Sequence, residues 1–111
     1  MKIFVSLLAL IFFEGCTTTG RQDGPFTLIW RESSGIPIEE VETPAGFQVS
    51  PFDAIRHITK RRSRPPWAED YLFIALTYYY FGSTRKGTEL SEPEKGHWII
   101  DGMTGEISYL E

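Results

Sequence analysis

Cys16 is the only cysteine among 111 residues, so no disulfide can form within the chain and whatever folds must be held by packing alone. Histidine is nearly as scarce. His57 and His97 are far apart, and neither has a cysteine or second histidine at metal-ligand spacing. Positive charge is not in excess either: 11 Lys and Arg stand against 15 Asp and Glu, and the net charge of −4 removes any global case for a nucleic-acid partner. No apolar run reaches the roughly 20 residues that a membrane-spanning helix needs. Internal repeats and low-complexity tracts are missing, and the length suits one domain. Aromatic residues, by contrast, are plentiful. With 8 Phe, 5 Tyr and 3 Trp, each ring burying about 150–250 Å², a small core can be filled without a covalent staple.

The N-terminal segment follows an export pattern. Lys2 supplies a positive charge, Ile3 to Phe13 form an apolar run interrupted only by Ser6, and Glu14 ends it. That run lies within the roughly 7–15 residues of a signal-peptide core. At Gly15-Cys16 the segment resembles a bacterial lipoprotein signal, in which a small residue precedes a cysteine that is lipidated and becomes the mature N-terminus. Phe13 and Glu14 depart from that pattern, which favours a branched aliphatic and a small residue there. Plain secretion, with cleavage near Thr17 or Thr18, is the rival reading. The resemblance implies residues 1–15 as signal peptide, lipid attachment at Cys16, and membrane anchoring through that lipid. Residues 16–24 are polar and suit a flexible tether.

Residues 25–111 are expected to form one α+β domain: a single amphipathic helix packed on a small antiparallel sheet. Phe26, Leu28 and Trp30 alternate with Thr27, Ile29 and Arg31, which predicts a strand. Ile36 to Gly46 carries two prolines and three glutamates and reads as an irregular connection or an edge strand. Ser50 is a good N-cap, Pro51 suits the first helical position, and Asp53 meets the positive end of the dipole. Phe52, Ala54, Ile55, Ile58 and Thr59 then make one face of a helix that ends before Pro65-Pro66. Tyr71 to Phe81 is apolar on alternating sides and rich in β-formers. Length alone does not separate strand from helix here. The aromatic run favours one long central strand ended by Gly82-Ser83, with a polar loop from Ser83 to Gly96. Two short strands, around His97–Asp101 and Glu106–Leu110, flank a tight turn in which Asp101, Thr104 and Gly105 supply the turn chemistry.

The Ser-Pro-capped helix, the aromatic strand and the closing Ile99-Ile100-Asp101…Thr104-Gly105-Glu106-Ile107 run together resemble a PepSY-type domain over roughly residues 47 to 110. The segment from Ser83 to Gly96 is an insertion relative to that pattern. PepSY domains are non-catalytic and are thought to bind or restrain proteases or other partners in the cell envelope. The resemblance thus implies a non-enzymatic binding module in a bacterial envelope, facing the periplasm or the cell surface, with a protein partner it does not name. Alternatives are a scaffold lipoprotein of an envelope assembly and a plain secreted binding protein.

Other residue sets carry weaker chemistry. Lys60 to Arg64 is the one basic cluster, and its plain reading is a solvated helix end. Glu92, Glu94 and His97 make at most a loose group, so neither a metal nor a cofactor is expected. Ser33-Ser34 lacks the strand-to-helix setting of a nucleophile elbow. No general base with an oriented partner is visible, so catalysis is not expected. Adjacent residues in a strand point to opposite faces, so one helix cannot cover every ring from Tyr78 to Phe81. The side away from the helix is expected to carry Tyr78 and Tyr80, with Trp98 or Tyr109 as neighbours, as a partner-binding surface.

Overall fold

A computed structural model describes residues 25–61 and 63–110. The signal segment, the tether and Cys16 lie outside these described residues. Among them are five strands in one antiparallel sheet and one α-helix: β1 (Thr27–Arg31), α1 (Pro51–Arg61), β2 (Ala68–Ala75), β3 (Tyr78–Arg85), β4 (His97–Asp101) and β5 (Ile107–Leu110). The strands lie side by side in chain order, from β1 at one edge to β5 at the other. The α+β class holds.

The helix begins where its capping residues stand. Ser50 Oγ accepts the amide of Asp53 at 3.1 Å, and Ala54 donates to the Ser50 carbonyl at 2.9 Å, so the first orphan amides are satisfied. Ala54, Ile55 and Ile58 are buried and meet Leu72, Tyr79, Phe81 and Ile100 from the sheet. Burying one such aliphatic side chain contributes about 1.5–3 kcal/mol. Thr59 does not belong to this face. It is exposed, and its Oγ1 donates to the Arg56 carbonyl at 3.1 Å, which satisfies the hydroxyl locally and removes any need for burial.

The segment from Tyr71 to Phe81 is not one strand. It is the middle of a hairpin, with β2 and β3 paired from Ala68↔Arg85 to Ala75↔Tyr78 and joined by Leu76 and Thr77 alone. Leu76 adopts φ +56° and is 88% exposed, so the turn is imposed by pairing on both sides and not by a turn residue. Gly82 and Ser83 do not end the strand, which continues to Arg85. Folding the aromatic run on itself buries more of it: Leu72 and Phe81 pair on the helix side, and Phe73 and Tyr80 pair on the other.

A bulge alters β1. Leu28 pairs with Phe73 but Trp30 pairs with Leu72, so Leu28 and Trp30 point to opposite faces despite their spacing. Trp30 thereby joins the core, and its indole Nε1 donates to the Ile36 carbonyl at 2.7 Å. Ile36 to Gly46 forms no strand; it is an irregular connection with one 3-10 turn, Ile38–Glu40.

The helix covers one sheet face, and other parts cover much of the second. Phe26 lies edge-on to Tyr80 and Phe73, with centroids 4.9 and 6.1 Å apart. The loop after β3 folds back over Tyr71, whose hydroxyl accepts the Glu94 amide at 2.8 Å. The same loop takes the Nδ1–H of buried His97 on the Glu94 carbonyl at 2.7 Å. The loop after β3 is therefore a cover for the sheet.

Candidate functional site

Two places concentrate polar or exposed aromatic groups, at opposite ends of the sheet. The first is an ion-pair network beside the start of β2. Glu69 is buried, pairs with Arg31 at 2.8 Å, and accepts the amides of Ser33 at 3.0 Å and Gly87 at 3.3 Å. Burial alone would raise its pKa, but the hydrogen bonds from Arg31, Ser33 and Gly87 outweigh that and bring it to about 2. Glu32 bridges Arg64 at 2.7 Å and accepts the Asp70 amide at 3.0 Å, while Ser83 donates to Asp70 at 2.7 Å. A recess of about 390 Å³ opens here, lined by Glu32, Ser33, Glu69, Lys86 and Gly87. A carboxylate held this far below neutrality keeps no proton to donate, and its oxygens are committed to holding β1, β2 and the loop after β3 together. The network is a clamp. Arg64, read from sequence as part of a solvated basic cluster, is one of its members.

The second place is the C-terminal hairpin. Asp101 Oδ1 accepts the amides of Met103 at 2.8 Å and Thr104 at 3.3 Å, and Thr104 Oγ1 accepts the amide of Glu106 at 3.2 Å. Gly105 takes φ +84° and donates to the Asp101 carbonyl at 2.7 Å, while the Asp101 amide donates to Glu106 O at 2.8 Å. This is a turn closed by a glycine bulge, built from the three residues the sequence singles out. Gly102, which sequence reading passed over, ties the hairpin to the rest. Its amide donates to the Thr77 carbonyl at 2.7 Å, and its own carbonyl accepts the amides of Gln48 and Val49, both at 2.9 Å. Its signal was the Gly-Met-Thr-Gly run itself, which offers two glycines where the turn needs one.

The four aromatic residues expected to form one surface are divided between the two faces. Tyr78 and Tyr80 lie away from the helix; Trp98 pairs with Phe81 and Tyr109 with Trp98, on the helix side. Tyr80 is half-buried beneath Phe26, and burial raises its pKa. Trp98 and Tyr109 stack edge-on with centroids 4.9 Å apart, and Tyr109 is half exposed. Register explains the split: Trp98 stands across from Phe81, a residue of the helix side. The hairpin exposes Ile107 and Tyr109 on the helix side, Leu110 on the other face, which it shares with exposed Tyr78 of β3, and Met103 at its turn. Beside it lies a recess of about 290 Å³ lined by Tyr78, Ile99, Asp101, Glu106, Ile107 and Ser108.

Among the described residues no group of three or more His, Cys, Asp or Glu is placed to hold a metal ion, and no helix is long and apolar enough to cross a membrane. No family model matches the chain, and no curated protein or solved structure does either.

Proposed function

We propose that this chain is an exported, lipid-anchored envelope protein whose folded domain is a non-enzymatic module of PepSY type that binds or restrains a protein partner, a protease being one candidate class. The observation that carries the reading is the exposure of apolar side chains along β5. Tyr109 and Leu110 are 52% and 51% exposed on a four-residue strand in which every residue is exposed. Exposed aromatic and aliphatic side chains along one edge strand, Ile107 and Tyr109 on one face and Leu110 on the other, are the makings of a protein-binding surface. The export pattern at Lys2 to Cys16 supports placement in the envelope, and the Asp101-Thr104-Gly105 turn supports the family reading.

Crosslinking in intact envelopes followed by affinity capture of the full chain tests this. A stoichiometric protein partner is expected, and a purified protease among the captured proteins should be inhibited by the domain in proportion to its amount. Recovery of the chain with no stoichiometric partner overturns the reading.

A further inference from the structure

The two edges of the sheet differ in how they are guarded. β1 carries a bulge at Ile29, is preceded by Pro25 and ends in Arg31, features that blunt an edge against further pairing. β5 has none of these: Ile107, Ser108, Tyr109 and Leu110 include no Lys, no Pro and no bulge, and pair in unbroken register with β4. The bond from the Asp101 amide to Glu106 O sets the phase of the ladder, because hydrogen-bonded and non-bonded pairs alternate along antiparallel strands. Ser108 and Leu110 turn their amides and carbonyls toward β4. Ile107 and Tyr109 turn theirs outward, to the open edge.

A strand laid along that edge would meet two different surfaces. On the helix side its side chains would reach Ile107 and the Trp98–Tyr109 pair. On the other side they would reach the recess of Tyr78, Asp101, Glu106 and Ser108, where two carboxylates stand beside a phenol. Asp101 to Leu110 contains no Lys or Arg, so a second copy of β5 would bring nothing to answer that acidity. We propose that β5 accepts an extended segment of a partner protein as a sixth antiparallel strand, with apolar side chains on the Tyr109 side alternating with Lys or Arg on the Asp101–Glu106 side. This rests on the reading of the domain as a binding module and gives that reading a surface and a chemistry.

The probe is a short synthetic peptide in which valine and lysine alternate, titrated into the full chain in mild detergent and followed by amide resonances. One peptide should bind per chain, with the largest shifts at Ile107 and Tyr109. A peptide with glutamate in place of lysine should bind at least about tenfold more weakly, since like charges would meet across the pair. Glu106→Lys should reverse that preference. Ile107→Pro, which removes an outward amide while leaving the bonds to β4, should abolish binding. Should Ile107→Pro fail to fold, the charge reversal at Glu106 still decides. Equal affinity for the two peptides, shifts centred away from β5, or a concentration-dependent dimer occupying the edge each overturn the proposal. The broader reading is separable: an Ile107→Pro chain that folds and still captures the wild-type partner in envelopes overturns the edge alone, whereas a wild-type chain that captures none overturns the binding module.

Discussion

The phenol of Tyr71 fills the space that a side chain at residue 82 would need: a Cβ placed on Gly82 falls 2.5 Å from Tyr71 Oη and 2.8 Å from its Cζ. The ring lies fully buried across β3, the loop after that strand closes over it, and burial pushes its pKa up to about 12. Gly82→Ala should therefore destabilise the domain by about 1–3 kcal/mol, as overpacking does. The loss should shrink in a Tyr71→Phe background, where the nearest atom is gone. Denaturant melts of the two single variants and the double variant read this coupling, and additive losses would contradict the contact.

The Arg31–Glu69 pair predicts an acid limit. The carboxyl has a folded pKa near 2 against an ordinary 4.5, so its contribution is complete above about pH 4.5 and is lost as pH falls toward 2. Glu69→Ala, which leaves Arg31 largely buried without its carboxylate, should cost about 3 kcal/mol near neutrality. Its stability should also change less between pH 4.5 and 2 than the wild type's. Thermal melts across that range check both statements.

Gly105 takes φ +84°, where a β-branched residue is strained whatever space surrounds it. Gly105→Val should cost at least about 1 kcal/mol. An unchanged thermal midpoint would contradict the hairpin geometry.

On the helix, Ile55 is 2% exposed against the sheet while its neighbour Arg56 is exposed and pairs with Asp53 at 3.7 Å. Ile55→Ala should cost about 2–5 kcal/mol. Arg56→Ala should stay within about 0.5 kcal/mol. Chemical denaturation of the two variants separates them, and similar losses would contradict the assigned face.

If Cys16 carries lipid, Cys16→Ser should release the chain from membranes or leave it unprocessed while the domain melts as before. The wild type should incorporate labelled fatty acid and stay with membranes in high salt, because an acyl anchor is apolar and unscreened. Glu14→Ala should keep or improve processing. A soluble, unlabelled wild type beginning beyond Cys16 would leave plain secretion.

The sequence made the helix and the closing hairpin legible because each has local punctuation: Ser50-Pro51 at one, Asp101 and Gly105 at the other. The β2–β3 turn has none. Leu76 and Thr77 are poor turn residues; the strand pairings Ala75↔Tyr78 and Ile74↔Tyr79, and the Gly102 amide on the Thr77 carbonyl, hold the turn with Leu76 at positive φ. The bulge in β1 and the ring over Gly82 are likewise products of packing between segments far apart in sequence, which periodicity does not record. Tyr78 and Tyr109 were visible as exposed-aromatic candidates. Their assignment to opposite faces needed the register across three strands.

Strand order that follows chain order also has a mechanical meaning. β1 has a neighbour on one side only, and the segment leading to the proposed anchor departs from it. Tension drawn through that end along the line of the ladder's hydrogen bonds would open them one after another from the rim inward, and tension drawn along the strand would load them together. A membrane-tethered domain of this design would yield first at β1, while β2 through β5, each joined to the next by sequence-adjacent pairing, stayed assembled around the hairpin.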